Sequence, residues 1–187
     1  MNASWPAVEL GETLRRLTAP GSPFAMHETI VDGRSLRSYV AAPRTMREVF
    51  DQSRRFGDRD LLVYEGERLS FEAHWRAATA LGRALTKDLG VTRGERVAIA
   101  MRNLPEWSVC AWGALACDAI VVPLNAWEPG AALAEMLRDC GARVVVADGE
   151  RAGRLQPHLP GLPGLSLLVA RGAPEQGPRL ENLIGEA

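Results

Sequence analysis

The chain has no surplus of charge of either sign, with 22 Lys and Arg against 23 Asp and Glu in 187 residues. A nearly neutral protein has no strong field to steer it to nucleic acid or anionic lipid, so neither is an expected partner. The longest apolar run, Trp107 to Cys117, is shorter than the ~18 to 20 residues that a membrane span needs. Because Met1 to Val8 also lacks a basic cluster followed by an apolar stretch, no secretory signal is predicted and we expect a cytoplasmic protein.

Cysteine is scarce, and its three residues, Cys110, Cys117 and Cys140, form no C-x-x-C pair. Their odd number argues against a disulfide framework, so free thiols are predicted. Cys110 and Cys117 share one face of a predicted helix, where free cysteine usually acts as a small buried hydrophobe.

The sequence also lacks the common catalytic and phosphate-binding motifs. Neither G-x-x-x-x-G-K-[ST] nor G-x-G-x-x-G occurs, and H-E-x-x-H and G-x-S-x-G are absent. His27, His74 and His158 have no metal-ligand spacing, so surface or packed structural roles are predicted, with His74 on the flank of a helix. The residues alone therefore predict at most a nucleotide-sized pocket, with no metal site.

The composition is that of an ordinary globular protein, and turn and cap signals organise its first half. Asp32-Gly33 and Glu65-Gly66 each separate two strand-like runs and predict β-hairpins. Thr45 to Glu48 is a capping box for a helix that reaches about Phe56. Ser70 caps a longer helix ending at Gly90, whose predicted apolar stripe is Phe71, Trp75, Ala78, Gly82, Leu85 and Leu89.

The pattern of apolar residues changes in the second half of the chain. Short continuous apolar runs are separated there by helical stretches such as Pro105–Cys117 and Pro129–Cys140. The runs begin at steps of 22, 24 and 22 residues and are Val97–Met101, Ala119–Leu124, Arg143–Ala147 and Leu165–Ala170. Strands without polar alternation are buried on both faces, and such spacers are long enough for crossover helices. We predict an α/β fold: a mostly parallel sheet with helices on both faces, in three layers, preceded by β-hairpins.

These features predict three segments. Residues 1–26 form a leader with a short helix, and residues 27–170 form the α/β subdomain, with hairpins in 27–70 and the βαβ core in 96–170. The Gly- and Pro-rich residues 171–187 are predicted to be a surface linker.

A doubly wound sheet binds ligands beyond the carboxyl ends of its strands, so the residues there are candidates for a site. They are Arg102-Asn103, then Asn125-Ala126-Trp127, then the stretch from Asp148 to Arg154. Arg151 and Arg154 stand at a predicted helix start and could bind phosphate, with Trp127 stacking on a base. In the alternative interpretation Asp148 only caps the helix, the arginines are solvated and Trp127 covers the sheet edge.

Four collinear blocks resemble the start of the acyl-CoA synthetases of the adenylate-forming superfamily: Leu69 to Glu72, Gly94 to Trp107, Val121 to Trp127 and Cys140 to Asp148. The leader from Leu17 to Phe24 is similar to the fatty-acid-CoA ligase branch. The resemblance implies a carboxylate that attacks ATP to give an acyl-adenylate, and CoA that then displaces AMP, with Mg²⁺ accompanying ATP.

The resemblance also implies parts that the sequence does not contain. The family's phosphate loop ending in Pro-Lys-Gly, its later acidic ribose motif and its C-terminal catalytic lysine have no match, since the only lysine, Lys87, lies on an early helix. We therefore expect an N-terminal portion with no catalytic residue of its own, inactive alone and binding no cofactor tightly. Its expected partners are the rest of the enzyme, an acyl substrate and, through an exposed face, a second copy.

Arg151-Ala152-Gly153-Arg154 matches an Arg-x-x-Arg pattern that some acetyl-CoA synthetases place against the CoA nucleotide. Trp127 stands where certain ligases have a basic residue near the CoA phosphates, which leaves stacking as its role here. The candidate CoA-side residues are therefore Arg151, Arg154, Trp127 and Asn125.

Two other functions remain open at this point. An adenylation domain of peptide or siderophore synthesis would have the same fold, and a carrier-protein domain downstream would favour it. A stand-alone, non-enzymatic binding or interaction module is the third possibility.

Overall fold

The computed structural model describes residues 9–185 and divides into two units, one up to Thr45 and one from Met46 onward. The first unit contains helix α1 (Leu10–Thr18) and a hairpin of strands β1 (Met26–Val31) and β2 (Arg34–Tyr39). Asp32 and Gly33 have φ angles of 48° and 77°, which are the left-handed values of a tight hairpin turn, as predicted. The first hairpin thus groups with the leader, whereas the sequence placed it with residues 27–170.

The second unit begins with a short helix and the other predicted hairpin. Its helices are α2 (Met46–Ser53), α3 (Phe71–Lys87), α4 (Pro105–Ala116), α5 (Gly130–Cys140), α6 (Gly149–Leu155) and α7 (Glu181–Ile184). Its strands are β3 (Asp60–Tyr64), β4 (Glu67–Ser70), β5 (Arg96–Ala100), β6 (Ile120–Pro123), β7 (Val144–Asp148) and β8 (Ser166–Ala170).

Strands β5 to β8 form one four-stranded sheet in the order β6-β5-β7-β8, with every neighbouring pair parallel. All four correspond to the apolar runs in the sequence, so the predicted α/β fold is confirmed. The chain crosses from β6 to β7 past β5, so the strand order reverses beside β5. In a doubly wound sheet, that reversal opens a crevice at the carboxyl ends of the strands.

Alternate residues of the strands pack on opposite faces of the sheet, which gives the three predicted layers. On one face, Val97 and Ile99 of β5 pack with Leu81 of α3 and Cys110 of α4. On the other face, Ala98 and Ala100 of β5 pack against helices α5 and α6. All four of these β5 side chains are fully buried, as expected for parallel strands covered on both sides.

Helix α3 begins as predicted, since the Ser70 hydroxyl accepts a hydrogen bond from the Ala73 amide at 3.1 Å. It ends at Lys87, earlier than predicted, and Gly90 takes the left-handed conformation just beyond it. The packed structural role predicted for His74 is confirmed, but its placement on the flank of the helix is wrong, because its side chain is 2% exposed and lies inside the helix packing. Its Nε2 lies 2.9 Å from the Ser108 hydroxyl of α4.

The buried position of His74 makes the stability of this unit dependent on pH. Burial lowers the pKa of His74, and the hydrogen bond to Ser108 opposes only part of that shift. The unfolded chain therefore binds a proton near pH 6.5 that the folded chain does not accept until the pH is lower. We expect the free energy of unfolding to be highest above pH 6.5 and to fall as the pH decreases from there to the folded pKa.

Urea denaturation between pH 7.5 and 5 measures this effect, with His74→Gln as the control variant that keeps a polar side chain but does not titrate. The variant should lose part of the pH dependence of the wild type. Equal pH dependence in the two proteins would show that His74 does not titrate differently on folding.

The three cysteines are free thiols, as predicted. Cys110 is fully buried, and burial raises the pKa of its thiol. Cys117 is only half-buried, because it follows the last residue of α4, so the prediction of a shared buried face is correct for Cys110 alone.

The segment after Ala170 differs from the predicted surface linker. The Val169 amide donates a hydrogen bond to Pro178 O, and the Leu180 amide donates one to Val169 O, both at 2.9 Å. These bonds align residues 178–180 beside β8, and Leu180 becomes fully buried in the core. Leu180 and the helix α7 that follows give this Gly- and Pro-rich stretch an apolar anchor that local composition did not show.

Within residues 9–185, no helix is both long enough and apolar enough to cross a membrane.

Candidate functional site

A cleft of about 840 Å³ opens at the carboxyl ends of the parallel strands. Its lining includes the residues that follow β5, β6 and β7, together with Tyr64 and Glu65 from the tip of the β3–β4 hairpin. This volume lies in the range of sites that hold a cofactor-sized molecule. The structure therefore brings together all three strand-end groups that the sequence singled out.

Asp148 joins two of these groups from its place at the end of β7. Its carboxylate accepts the Arg102 amide and the Arg151 amide, each at 2.9 Å. The first bond fixes the chain as it leaves β5, and the second caps helix α6 as predicted. The carboxylate is buried, so these bonds hold a rigid floor for the cleft.

Arg151 is not solvated, because its side chain is 2% exposed and its Nε and Nη1 groups already have partners inside the protein. Nε donates to Ala126 O at 2.6 Å, and Nη1 donates to the Glu150 carboxylate at 2.8 Å. Nη1 also lies 3.4 Å from each Asp148 oxygen. A guanidinium held in this way braces the loop after β6 against the loop after β7.

Arg154, one turn later on α6, supports the same loop from the side. Its Nη1 donates to Glu128 O at 3.0 Å and lies within 3.5 Å of Ala126 O and Trp127 O. Its Nη2 forms an ion pair with Glu150. Both arginines of the Arg-x-x-Arg pattern therefore bind the loop that carries the other two candidate residues.

That loop presents Asn125 and Trp127 to the cleft. Asn125 fixes the turn, because its side-chain oxygen accepts the Trp127 amide at 3.2 Å and its amide group donates to Glu128 at 2.8 Å. Trp127 is 68% exposed, which is unusual for the residue with the largest apolar side chain. The Arg102 guanidinium carbon lies 3.9 Å from the centroid of this indole.

Arg171, directly after β8, lines the cleft and was not identified from the sequence. It donates to both carboxylate oxygens of Glu67, at 2.9 and 2.6 Å, and to Glu106 at 2.7 Å. These bonds lower the pKa of Glu67, and Arg171 also lies 5.6 Å from the Tyr64 ring centroid. These contacts join the β3–β4 hairpin to the end of β8. Glu67 and Arg171 are more than a hundred residues apart in the sequence, so no local sequence pattern could identify them as partners.

The lining has groups that can hold part of a phosphorylated cofactor. A stacking surface, an amide group and an arginine are the groups that hold a nucleotide and its phosphates. In the part of the chain that the structure describes, no cluster of three His, Cys, Asp or Glu side chains is placed to hold a metal.

A parallel α/β sheet with such a cleft at its switch point defines a ligand-binding domain of the nucleotide-binding type. A family model described as AMP-binding enzyme matches residues 49–183, well over half of the chain. The protein belongs to this family, and the resemblance noted in the sequence is confirmed.

Relatives of known sequence and structure agree with this assignment. The chain is 32% identical over 104 residues to a long-chain-fatty-acid–CoA ligase of Escherichia coli O6:H1, an alignment that covers 55% of this chain and 18% of that ligase. A benzoate CoA ligase from Burkholderia xenovorans LB400 has the same fold, with a TM-score of 0.67 and 23% identity over 73% of this chain and 27% of that one.

NpsA-ThdA of Klebsiella oxytoca, an artificially fused adenylation-PCP di-domain, also shares the fold, with a TM-score of 0.59 and 21% identity over 78% of this chain and 25% of that one. The chain therefore spans only about a fifth to a quarter of the length of these three proteins.

Proposed function

We propose that this chain is the N-terminal portion of an ATP-dependent acid:CoA ligase that activates a medium- or long-chain fatty acid. In the proposed reaction the fatty acid carboxylate attacks ATP to form an acyl-adenylate and pyrophosphate, and the CoA thiol then displaces AMP. The similarity to long-chain-fatty-acid–CoA ligases supports the acyl class.

The observation that carries the proposal is the cleft itself. Three separate strand ends converge on it, and its floor is fixed by Asp148 while one wall is fixed by Arg151 and Arg154. A wall that is rigid before the ligand arrives lowers the entropic cost of ordering it on binding.

We assign different tasks to the four CoA-side candidates. Asn125 and Trp127 face the cleft, where the amide can hydrogen-bond to CoA and the indole can stack on it. Arg151 and Arg154 act as positioning residues, because their guanidinium groups bind the backbone of the loop that carries the other two. CoA supplies the thiol, and ATP with Mg²⁺ supplies the leaving group, when the remaining segments of the enzyme are present.

The 187-residue polypeptide alone should catalyse no ATP–pyrophosphate exchange with any fatty acid. The family's phosphate loop and catalytic lysine have no counterpart in its sequence, so the polypeptide lacks the groups with which the family holds the ATP phosphates during the attack. The assay compares this polypeptide with the complete gene product that carries it, using oleate, decanoate and no acid.

The complete protein should show exchange that depends on the fatty acid. Exchange by the purified polypeptide that survives removal of contaminating ligase would contradict its role as a portion of the enzyme. Absence of acid-dependent exchange in the complete protein would contradict the proposed reaction.

The second candidate is an adenylation domain for peptide or siderophore synthesis, which the shared fold of the adenylation-PCP di-domain supports. Such a domain makes the same adenylate but transfers the acyl group to the thiol of a carrier protein. The two candidate functions differ in the second reaction step, because only the ligase transfers the acyl group to CoA and releases an acyl-CoA.

A further inference from the structure

Arg102 and Trp127 both line the cleft and form a cation–π pair, with the Arg102 guanidinium carbon 3.9 Å from the centroid of the indole, and the backbone of each is held in place. The Arg102 amide is bound by Asp148, and the loop of Trp127 is bound by Asn125 and Arg154. The two side chains remain exposed while their main chains are fixed. This pair therefore stands in a defined position without being buried.

Arg102 differs from the other arginines that line the cleft. Arg151 is bound to Asp148 and Glu150, and Arg171 is bound to Glu67 and Glu106. Within residues 9–185, the Arg102 guanidinium forms no ion pair and donates no hydrogen bond. Among the three arginines that line the cleft, Arg102 is therefore the one whose positive charge is not paired with a carboxylate.

The cation–π contact leaves the N–H groups of this guanidinium available for a ligand. A cation–π contact is made with the positive charge of the guanidinium and uses none of its N–H donors. Those N–H groups form a fork that matches two oxygens of a phosphate. The contact also restricts the arginine side chain, so less conformational entropy is lost when an anion binds.

We propose that Arg102, held on Trp127, is the phosphate contact of this cleft. It takes over the role that the sequence assigned to Arg151 and Arg154, whose donors bind the protein itself. The ligand class is a phosphorylated nucleotide, and the identity of that nucleotide as CoA rests on the proposed acid:CoA ligase function. Loss of a charge-assisted phosphate bond should weaken binding roughly ten- to a hundredfold.

The test titrates the 187-residue chain with CoA and, separately, with inorganic pyrophosphate. Binding is followed by the NMR signal of the Trp127 indole N–H, which is assigned with Trp127→Phe. Both ligands should shift this signal in the wild type, with weak affinities that fall further as salt is added. Arg102→Gln should weaken both by roughly ten- to a hundredfold, and Arg102→Lys, which keeps the charge but not the planar fork, should weaken them less.

Arg138→Gln is the matched control, because it removes one exposed arginine at the other end of the sheet, on the last turn of α5. It should bind both ligands as the wild type does. Equal affinities of Arg102→Gln and the wild type would overturn the proposal, and so would an unshifted Trp127 signal with both ligands. A shift with pyrophosphate and none with CoA would support the phosphate contact while contradicting the CoA ligase function.

Discussion

Asp148→Ala should lower the free energy of unfolding by ~3 to 5 kcal/mol, the usual cost of removing one partner of a buried ion pair. The substitution leaves the 2% exposed Arg151 guanidinium without its buried counter-charge. It also removes the acceptor of the Arg102 and Arg151 amides, so the end of β5 and the start of α6 lose their common anchor. Urea denaturation of the purified chain, monitored by circular dichroism, measures the loss.

Glu150→Ala is the control for this prediction. Glu150 also pairs with Arg151, at 2.8 Å, but its side chain is 59% exposed. Exposed pairs contribute ~0 to 1 kcal/mol, so this variant should remain close to the wild type. The double variant Asp148→Ala/Arg151→Met should be more stable than Asp148→Ala alone, because no buried charge is then left with only an exposed partner. A double variant that loses the sum of both single effects would contradict this explanation.

Gly82→Val should lower the free energy of unfolding by ~1 to 3 kcal/mol or more, through overpacking between α3 and α4. A Cβ atom at Gly82 would lie 2.9 Å from the backbone oxygen of Gly113, and one at Gly113 would lie 3.0 Å from that of Ala78. Backbone cannot yield as a flexible side chain does, so the two helices must separate. The same denaturation assay, together with the melting temperature, measures the effect.

Gly153→Ala on α6 is the matched glycine substitution. Its Cβ would lie 3.4 Å from the end of the Gln176 side chain, which is ordinary contact. Alanine is favoured over glycine in a helix by up to ~1 kcal/mol, so this variant should equal or exceed the wild type in stability. If Gly82→Val were as stable as Gly153→Ala, the close approach of α3 and α4 would not be required.

The strands and the hairpins could be predicted because their signals are local. Strands β5 and β7 are continuous apolar runs, and the hairpin turns use Asp32-Gly33 and Glu65-Gly66, whose left-handed conformations the structure shows. Each signal depends on a few neighbouring residues. The parallel direction of the strands was predicted from the lengths of the crossover segments, whereas their order, β6-β5-β7-β8, comes from the structure.

The environment of the arginines could not be predicted in this way. The stretch Gly149 to Arg154 is polar, and its composition is typical of a solvated helix start. Arg151 is nevertheless buried, and its Nε donates a hydrogen bond to Ala126 O in a loop that is distant in the sequence. Arg171 likewise binds Glu67 on the distant β3–β4 hairpin. When the burial of a side chain depends on partners that are distant in the sequence, the local composition does not indicate it.

The same limit applies to His74, whose position beside Trp75 placed it on the flank of α3. Both α4 and the α2 segment cover this helix, so its buried arc is wider than a single stripe and includes His74, Ala77 and Leu81. The cleft was thus correctly located from the strand ends, while the roles within it depended on contacts between elements.

Formation of an acyl-CoA by the complete gene product tests the central claim most directly. The protein is incubated with labelled oleate, ATP, Mg²⁺ and CoA, and the products are separated by chromatography. The proposed function predicts oleoyl-CoA and AMP in equal amounts, with no thioester when CoA or ATP is omitted. Accumulation of an acyl-adenylate that CoA leaves untouched, but a carrier-protein thiol consumes, would contradict the claim and identify an adenylation domain instead.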